Sequence, residues 1–222
     1  MTLKIFTNYS PNFNPIKRRS AQIKFLIFHY TGMKKESDAV KKLTNFKSKV
    51  SCHYFIKKKG EILVMVPDLY VAWHAGKSHW EKYKLLNNHS IGIEISNPGH
   101  DFRYEKFSKK QIQSLIELSK ILIKKYKIKT KNILGHSDVA PDRKKDPGEK
   151  FPWKELAKQR IGLWHSISLK RLKKNRGIKL NQINENIFFN NLYKIGYLNK
   201  KFKKIISKKF KNYIVKAFQR RF

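Results

Sequence analysis

Residues 24–32, KFLIFHYTG, form a continuous apolar run that closes on a histidine, a tyrosine and a glycine. A short apolar run ended by a breaker reads as a buried strand. The segments around it decide what kind of sheet it joins. SDAVKKLTNF (37–46) opens on Ser37, a candidate N-cap, and spaces Val40, Leu43 and Phe46 three apart, which predicts a helix. HYFIKKKGEILVMVP (53–67) predicts two strands turning at Lys59–Gly60, a hairpin. SIGIEIS (90–96) alternates, with Ile91, Ile93 and Ile95 on one face and Gly92 and Glu94 on the other. SKKQIQSLIELSKILIKKY (108–126) carries a capping box, Ser108 with Gln111, ahead of an apolar stripe through Ile112, Leu115, Leu122 and Tyr126. NILGH (132–136) is a further short strand, and an amphipathic stretch from Trp153 packs back. Strands alternating with helices predict an α/β fold: a mixed, mostly parallel central sheet with one antiparallel hairpin, flanked by helices.

Composition changes after His165. Residues 166–222 hold seventeen Lys and Arg against the single acidic residue Glu185. Apolar residues still recur, among them Leu192, Tyr197, Ile205, Ile206, Ile214 and Ala217, at spacings that fit two or three helices. The expected organisation is a domain over 1–165 and a small basic helical appendage over 166–222.

The chain has 222 residues, 51 Lys and Arg and 15 Asp and Glu, for a formal net charge of +36. Such a field attracts polyanions without specifying one. The plainer reading is a solvated lysine-rich surface, since Lys, Ile, Asn, Phe and Tyr are abundant together. Cys52 is the only cysteine, which excludes an intrachain disulfide and a Cys-rich zinc module. Residues 1–20 lack a run long enough for a signal-peptide core, and no apolar run elsewhere is long enough to span a membrane. The expected location is the cytoplasm, with the periplasm or cell envelope as the alternative.

Two of the short strands deliver a histidine at the carboxyl end, His29 and His136, which is where α/β sheets build their sites. A lone histidine there is more often a satisfied core residue than a ligand. Asp146 adds an anionic oxygen ten residues after His136. Two imidazoles and one carboxylate make a catalytic zinc set, with three protein ligands and a fourth position for water. Mn²⁺ and Fe²⁺ also suit such ligands. Hydrolysis then needs a base, and Glu94 faces away from its isoleucines; its plain alternative is a carboxylate paired with a lysine. Lys144, two residues before Asp146, can set a positive charge beside a tetrahedral oxyanion, although a lysine alone says little in this chain.

Five segments then carry a resemblance: FLIFHYTG (25–32), SCHYFI (51–56), VPDLYVAWHAGKSHW (66–80), LLNNHSIGIEISNPG (85–99) and LGHSDVAPDRKKDPGEKFPW (134–153). In order and content the chain resembles the zinc-dependent N-acetylmuramoyl-L-alanine amidases of the type-2 family, related to phage amidases and peptidoglycan-recognition proteins. The resemblance implies one zinc ion on His29, His136 and Asp146, Glu94 as catalytic acid and base, and Lys144 as transition-state partner. It places Trp73, His74 and Asn87 along the substrate cleft and leaves His53 as either a structural or a cleft residue. It also implies a peptidoglycan or muropeptide substrate, intact or anhydro, cut between N-acetylmuramic acid and L-alanine. NNLYKIGY (190–197) and YIVKAFQRRF (213–222) are similar to helices of a small peptidoglycan-binding module, here degenerate. Two alternatives stay open: a non-catalytic peptidoglycan receptor of the same fold, and a basic nucleic-acid-binding protein. The receptor class loses a metal ligand, and all three are present. A metallonuclease needs more carboxylates around two metals than this chain offers.

Overall fold

The computed structural model describes residues 3–175, 181–197 and 207–222. Ile205 and Ile206, counted above toward a tail helix, lie outside the described residues. In chain order the elements are β1 (Ile5–Thr7), β2 (Phe13–Asn14), β3 (Phe25–Tyr30), α1 (Glu36–Thr44), β4 (Tyr54–Ile56), β5 (Ile62–Val64), β6 (Val71–Ala72), β7 (His79–Trp80) and β8 (Tyr83–Lys84). There follow β9 (Ser90–Ile95), α2 (Lys109–Tyr126), β10 (Ile133–Gly135), α3 (His136–Val139), α4 (Trp153–Lys158), α5 (Leu169–Asn175), α6 (Gln182–Ile195) and α7 (Lys208–Arg221).

Six strands make the central sheet in the order β1-β5-β4-β9-β3-β10. Only β4 and β5 pair antiparallel, and they are the hairpin expected at 53–67; the other neighbours are parallel. The expected mixed, mostly parallel sheet is therefore what forms. Edge strand β1 and the ribbons β2–β6 and β7–β8 were not anticipated. At two or three residues each they are too short to show a period.

Strand β3 lies between two layers. Leu26 and Phe28 of β3 join Ile91, Ile93 and Ile95 of β9 under Leu115, Leu118 and Leu122 of α2. Phe25 and Ile27 point to the opposite face, against Trp80, Leu134, Leu192 and Ile214. Both faces are covered, so the strand has no polar side and reads as continuous. A third cluster seats Ala39 and Leu43 of α1 on Phe55 and Met65. Each of these large side chains contributes about 2 kcal/mol by leaving water.

Helix α2 begins as expected, with Ser108 accepting from the backbone of Gln111 and the Gln111 side chain accepting from the backbone of Ser108. Helix α1 begins earlier than expected. Its N-cap is Lys35, which makes no side-chain cap bond, and Ser37 falls inside the first turn. Glu36 and Asp38 in that turn complement the positive end of the helix dipole, so the missing cap is offset. From the stretch after residue 165, Phe189, Leu192, Ile214 and Ala217 share a core with Phe25 and Ile27. No helix among the described residues is long and apolar enough to cross a membrane.

Asp68, buried at the end of the hairpin, accepts hydrogen bonds from Lys125 (2.9 Å), Tyr126 (2.5 Å) and Tyr54 (2.6 Å), which tie α2 to β4. Burial works to raise its carboxyl, but these three donors outweigh it and hold it below the usual carboxylate range. The unfolded chain therefore binds this proton more tightly than the folded one. The stabilisation is complete above the ordinary carboxyl value of about 3.9 and disappears as pH falls through the folded value. Replacing Asp68 by Asn is expected to cost about 2 kcal/mol at neutral pH. The gap in melting temperature from wild type should narrow as the solution is acidified; a gap independent of pH would exclude this account.

Candidate active site

The parallel strands β3, β9 and β10 end side by side. Register pairs His29 with Glu94 across β3 and β9, and Phe28 with Gly135 across β3 and β10, so His136 follows directly beside His29. Period-two alternation puts His29 on the Phe25–Ile27 face, and Glu94 with Gly92 on that same face, away from the three isoleucines. Gly92 is required there, because a Cβ would stand 2.3 Å from the His74 ring. Gly135 serves the returning loop in the same way, since its Cβ would lie 2.6 Å from Pro147 Cδ.

The loop from His136 to Asp146 is closed by the Ser137 N–H, which donates to the Asp146 carbonyl at 2.8 Å. Asp146 Oδ2 lies 3.1 Å from His29 Nδ1 and 3.0 Å from His136 Nδ1, and the two nitrogens are 2.9 Å apart. All three residues are buried and form a group able to hold a metal ion. Ligands about 2.0–2.1 Å from a tetrahedral ion stand about 3.3 Å from one another. The observed triangle is close to that edge length, so the donor set fits such an ion.

The remaining ring nitrogens settle the tautomers. His29 Nε2 is 3.0 Å from His74 Nδ1, His74 Nε2 is 3.1 Å from Ser90 Oγ, and Ser90 donates to the Leu86 carbonyl at 2.6 Å. His136 Nε2 donates to the Ala75 carbonyl at 3.2 Å. Each Nε2 thus carries the proton, and both Nδ1 lone pairs face the cluster, the usual outer support of a metal-ligating imidazole. Burial pushes the His29 imidazole down to about 4, with His136 adding to the effect and Asp146 opposing it. Burial likewise acts to raise the Asp146 carboxyl, but the two imidazoles prevail and hold it below the carboxylate range. Neutral imidazoles and an ionised carboxylate are the forms that bind metal.

Glu94 Oε1 lies 4.0 Å from His29 Nδ1, while Oε2 is buried with no hydrogen-bond partner among the described residues. Burial pushes this carboxyl well above its ordinary range, Asp146 adds to that, and Lys144 and Lys42 oppose it. A buried unpartnered oxygen is costly to leave so. A cleft of about 320 Å³ is lined among others by Trp73, His74, Glu94, Arg143, Lys144 and Asp146.

Not every residue singled out in the sequence stands in the same relation to the cleft. Trp73 is half-buried in its wall. His74 also lines it, yet both its nitrogens are engaged within the protein, by His29 and Ser90. Asn87 accepts the N–H groups of His74 (3.2 Å) and Ala75 (2.7 Å) through Oδ1, bracing the loop from behind. His53 is fully buried beneath, its Nδ1 accepting from Gly92 N at 3.0 Å and its Nε2 donating to the Tyr70 carbonyl. Lys145 is exposed and stands on the cleft rim. His100 is partly covered, with Nδ1 2.8 Å from the Tyr30 hydroxyl and Nε2 3.0 Å from Glu149. Arg143 was missed: it donates to the carbonyls of Ala75 and Lys77 and clamps the 73–77 loop. In a lysine-rich run nothing distinguishes it.

Residues 19–149 match the family model described as N-acetylmuramoyl-L-alanine amidase. The chain is 42% identical over 164 residues to the N-acetylmuramoyl-L-alanine amidase AmiD of Escherichia coli, a match covering 66% of this chain and 58% of that protein. It is 42% identical over 105 residues to the 1,6-anhydro-N-acetylmuramyl-L-alanine amidase AmpD of Escherichia coli, covering 47% and 55%. The match thus spans little more than half the length of these curated relatives. Among solved structures, AmiD from E. coli in complex with anhydro-N-acetylmuramic acid-L-Ala-D-gamma-Glu-L-Lys superposes with a TM-score of 0.77 at 33% identity. That superposition covers 90% of this chain and 80% of the other, more than residues 1–165 alone could supply.

Proposed function

The chain belongs to the type-2 N-acetylmuramoyl-L-alanine amidase family, and on that premise we propose that it hydrolyses the amide joining the lactyl group of N-acetylmuramic acid to the L-alanine of a stem peptide. The observation that carries the reading is the meeting of His29, His136 and Asp146 in one buried cluster beside Glu94, whose Oε2 has no hydrogen-bond partner among the described residues. The ion is proposed to be zinc, held by those three residues.

When bound, zinc supplies a Lewis acid that polarises the scissile carbonyl and acidifies a water. The protein's own groups do the rest. Glu94 takes the proton from the attacking water and passes it to the leaving L-alanine nitrogen. The Lys144 ammonium balances the charge that develops on the tetrahedral oxygen. Trp73 walls the cleft for the sugar and the first peptide residue. His74 keeps the His29 ring in its ligating orientation, and Asn87 holds the loop that carries Trp73 and His74. His53 supports Gly92 from below.

Soluble anhydromuropeptide is the proposed substrate, a reading supported by the match to a 1,6-anhydro-muramyl amidase, and the cytoplasm is the proposed compartment. Mass spectrometry of digests tests both chemistry and substrate. Anhydromuropeptide should yield a free peptide beginning with L-alanine; chelator should stop the reaction and zinc restore it. Intact peptidoglycan run in parallel should be cut more slowly. Uncleaved muropeptide with zinc-replete protein would refute the proposal.

A further inference from the structure

Asp138 lies two residues beyond His136 and is 1% exposed. Its carboxylate is filled from three sides. Oδ2 accepts the N–H of Gly135 at 2.8 Å and Arg221 Nη1 at 2.5 Å, and Oδ1 accepts the Tyr197 hydroxyl at 2.5 Å. Arg221, the last residue of α7, is itself 6% exposed. Its Nη2 donates to the Ile133 carbonyl at 3.0 Å, and its guanidinium lies 4.1 Å from the centre of the Trp153 ring. One side chain from the tail therefore reaches β10, α3 and α4 together.

Helix α3 is four residues long and begins at His136. So short a helix has no stability of its own, and its direction is set by whatever holds it. It is held at its start by the Gly135–Asp138 bond, and Ser137 ties Asp146 to the same turn through the bond at 2.8 Å. Fixing Asp138 therefore fixes His136 and Asp146 as a unit. A chain of this charge has cations to spare, yet the one that pairs with Asp138 comes from a distant helix and is buried with it.

We infer that the C-terminal helix is a working part of the site: Arg221 and Tyr197 are positioning residues that act through Asp138 to hold the turn carrying His136 and Asp146 in its metal-binding geometry. The inference rests on the reading of those two residues as metal ligands. A merely structural contact would instead change stability and leave metal affinity alone.

Zinc titration of the metal-stripped full chain against a chromophoric chelator separates the two. Arg221→Gln should raise the zinc dissociation constant about tenfold, the scale seen when outer support of metal ligands is removed. Arg221→Lys should recover part of that loss, because an ammonium still pairs with Asp138 but cannot also reach the Ile133 carbonyl. Tyr197→Phe should weaken zinc severalfold. Leu192→Ala, which hollows the same core without removing any bond to Asp138, should lower the melting temperature and leave zinc affinity unchanged. Zinc affinity within twofold of wild type in both Arg221→Gln and Tyr197→Phe overturns the inference. So does Leu192→Ala weakening zinc as much as they do. If Arg221→Gln does not fold, Tyr197→Phe, which deletes one hydroxyl, decides alone by the same measure. A wild-type chain that binds no zinc overturns the metal reading of the site, and this inference with it.

Discussion

Glu94→Gln is expected to lower kcat on anhydromuropeptide by ~10²–10⁴-fold, the usual contribution of a positioned acid–base group. The substitution keeps the size of the side chain and removes only its capacity to take a proton. Glu94 is outside the cluster of His29, His136 and Asp146, and its nearer oxygen stands 4.0 Å from His29 Nδ1. Zinc content should therefore remain at one ion per chain. Among the described residues the carboxylate has no hydrogen-bond partner to lose at Oε2, so folding should not suffer, and the neutral amide relieves the cost of burying a charge. Retained turnover in a zinc-loaded Glu94→Gln protein would remove Glu94 from the mechanism. Lost turnover together with lost zinc would mean that it acts on the metal instead.

Asp146→Ala is expected to reduce both zinc content and activity to background. Two imidazoles remain after the change, and a catalytic zinc site needs three protein ligands. The substitution also strips the negative charge that His29 and His136 share at 3.1 and 3.0 Å. Those rings are buried, so without the carboxylate they have still less reason to bind a cation or a proton. Metal analysis after dialysis, with circular dichroism to verify the fold, gives the answer. A folded Asp146→Ala chain that keeps one zinc would show that the carboxylate is not a ligand.

The two changes read different things, and this follows from how the strands are registered. Glu94 and His29 are partners across β9 and β3, whereas Asp146 reaches the same point by a loop. A strand partner is placed by the sheet itself. The loop residue depends on the turn at His136, and through Asp138 on the tail.

Much of this was legible along the chain. The run at 25–30 announced a covered strand, the alternation at 90–96 set Glu94 opposite three isoleucines, and Ser108 with Gln111 marked the start of α2. Each is a local pattern in which neighbours a few residues apart share a face. The start of α1 was misplaced because a serine looked like a cap, while the acidic first turn supplied the stabilisation. The support behind the cluster, Ser90 behind His74 and Arg143 behind Ala75, has no period and no distinctive spacing, so it could not be read.

By itself the sequence determined the mixed sheet, the histidines at its strand ends, the face Glu94 occupies and the order of motifs that defines the family. Those are matters of short-range periodicity, which one chain displays openly. Only the tertiary structure decided which cation answers which carboxylate. With 51 Lys and Arg against 15 Asp and Glu, pairing is underdetermined by composition. The choice of Arg221 for Asp138, 83 positions apart, is made by burial. Inside a core an unpaired carboxylate is too costly to leave, so packing of α7 against the sheet selects the partner.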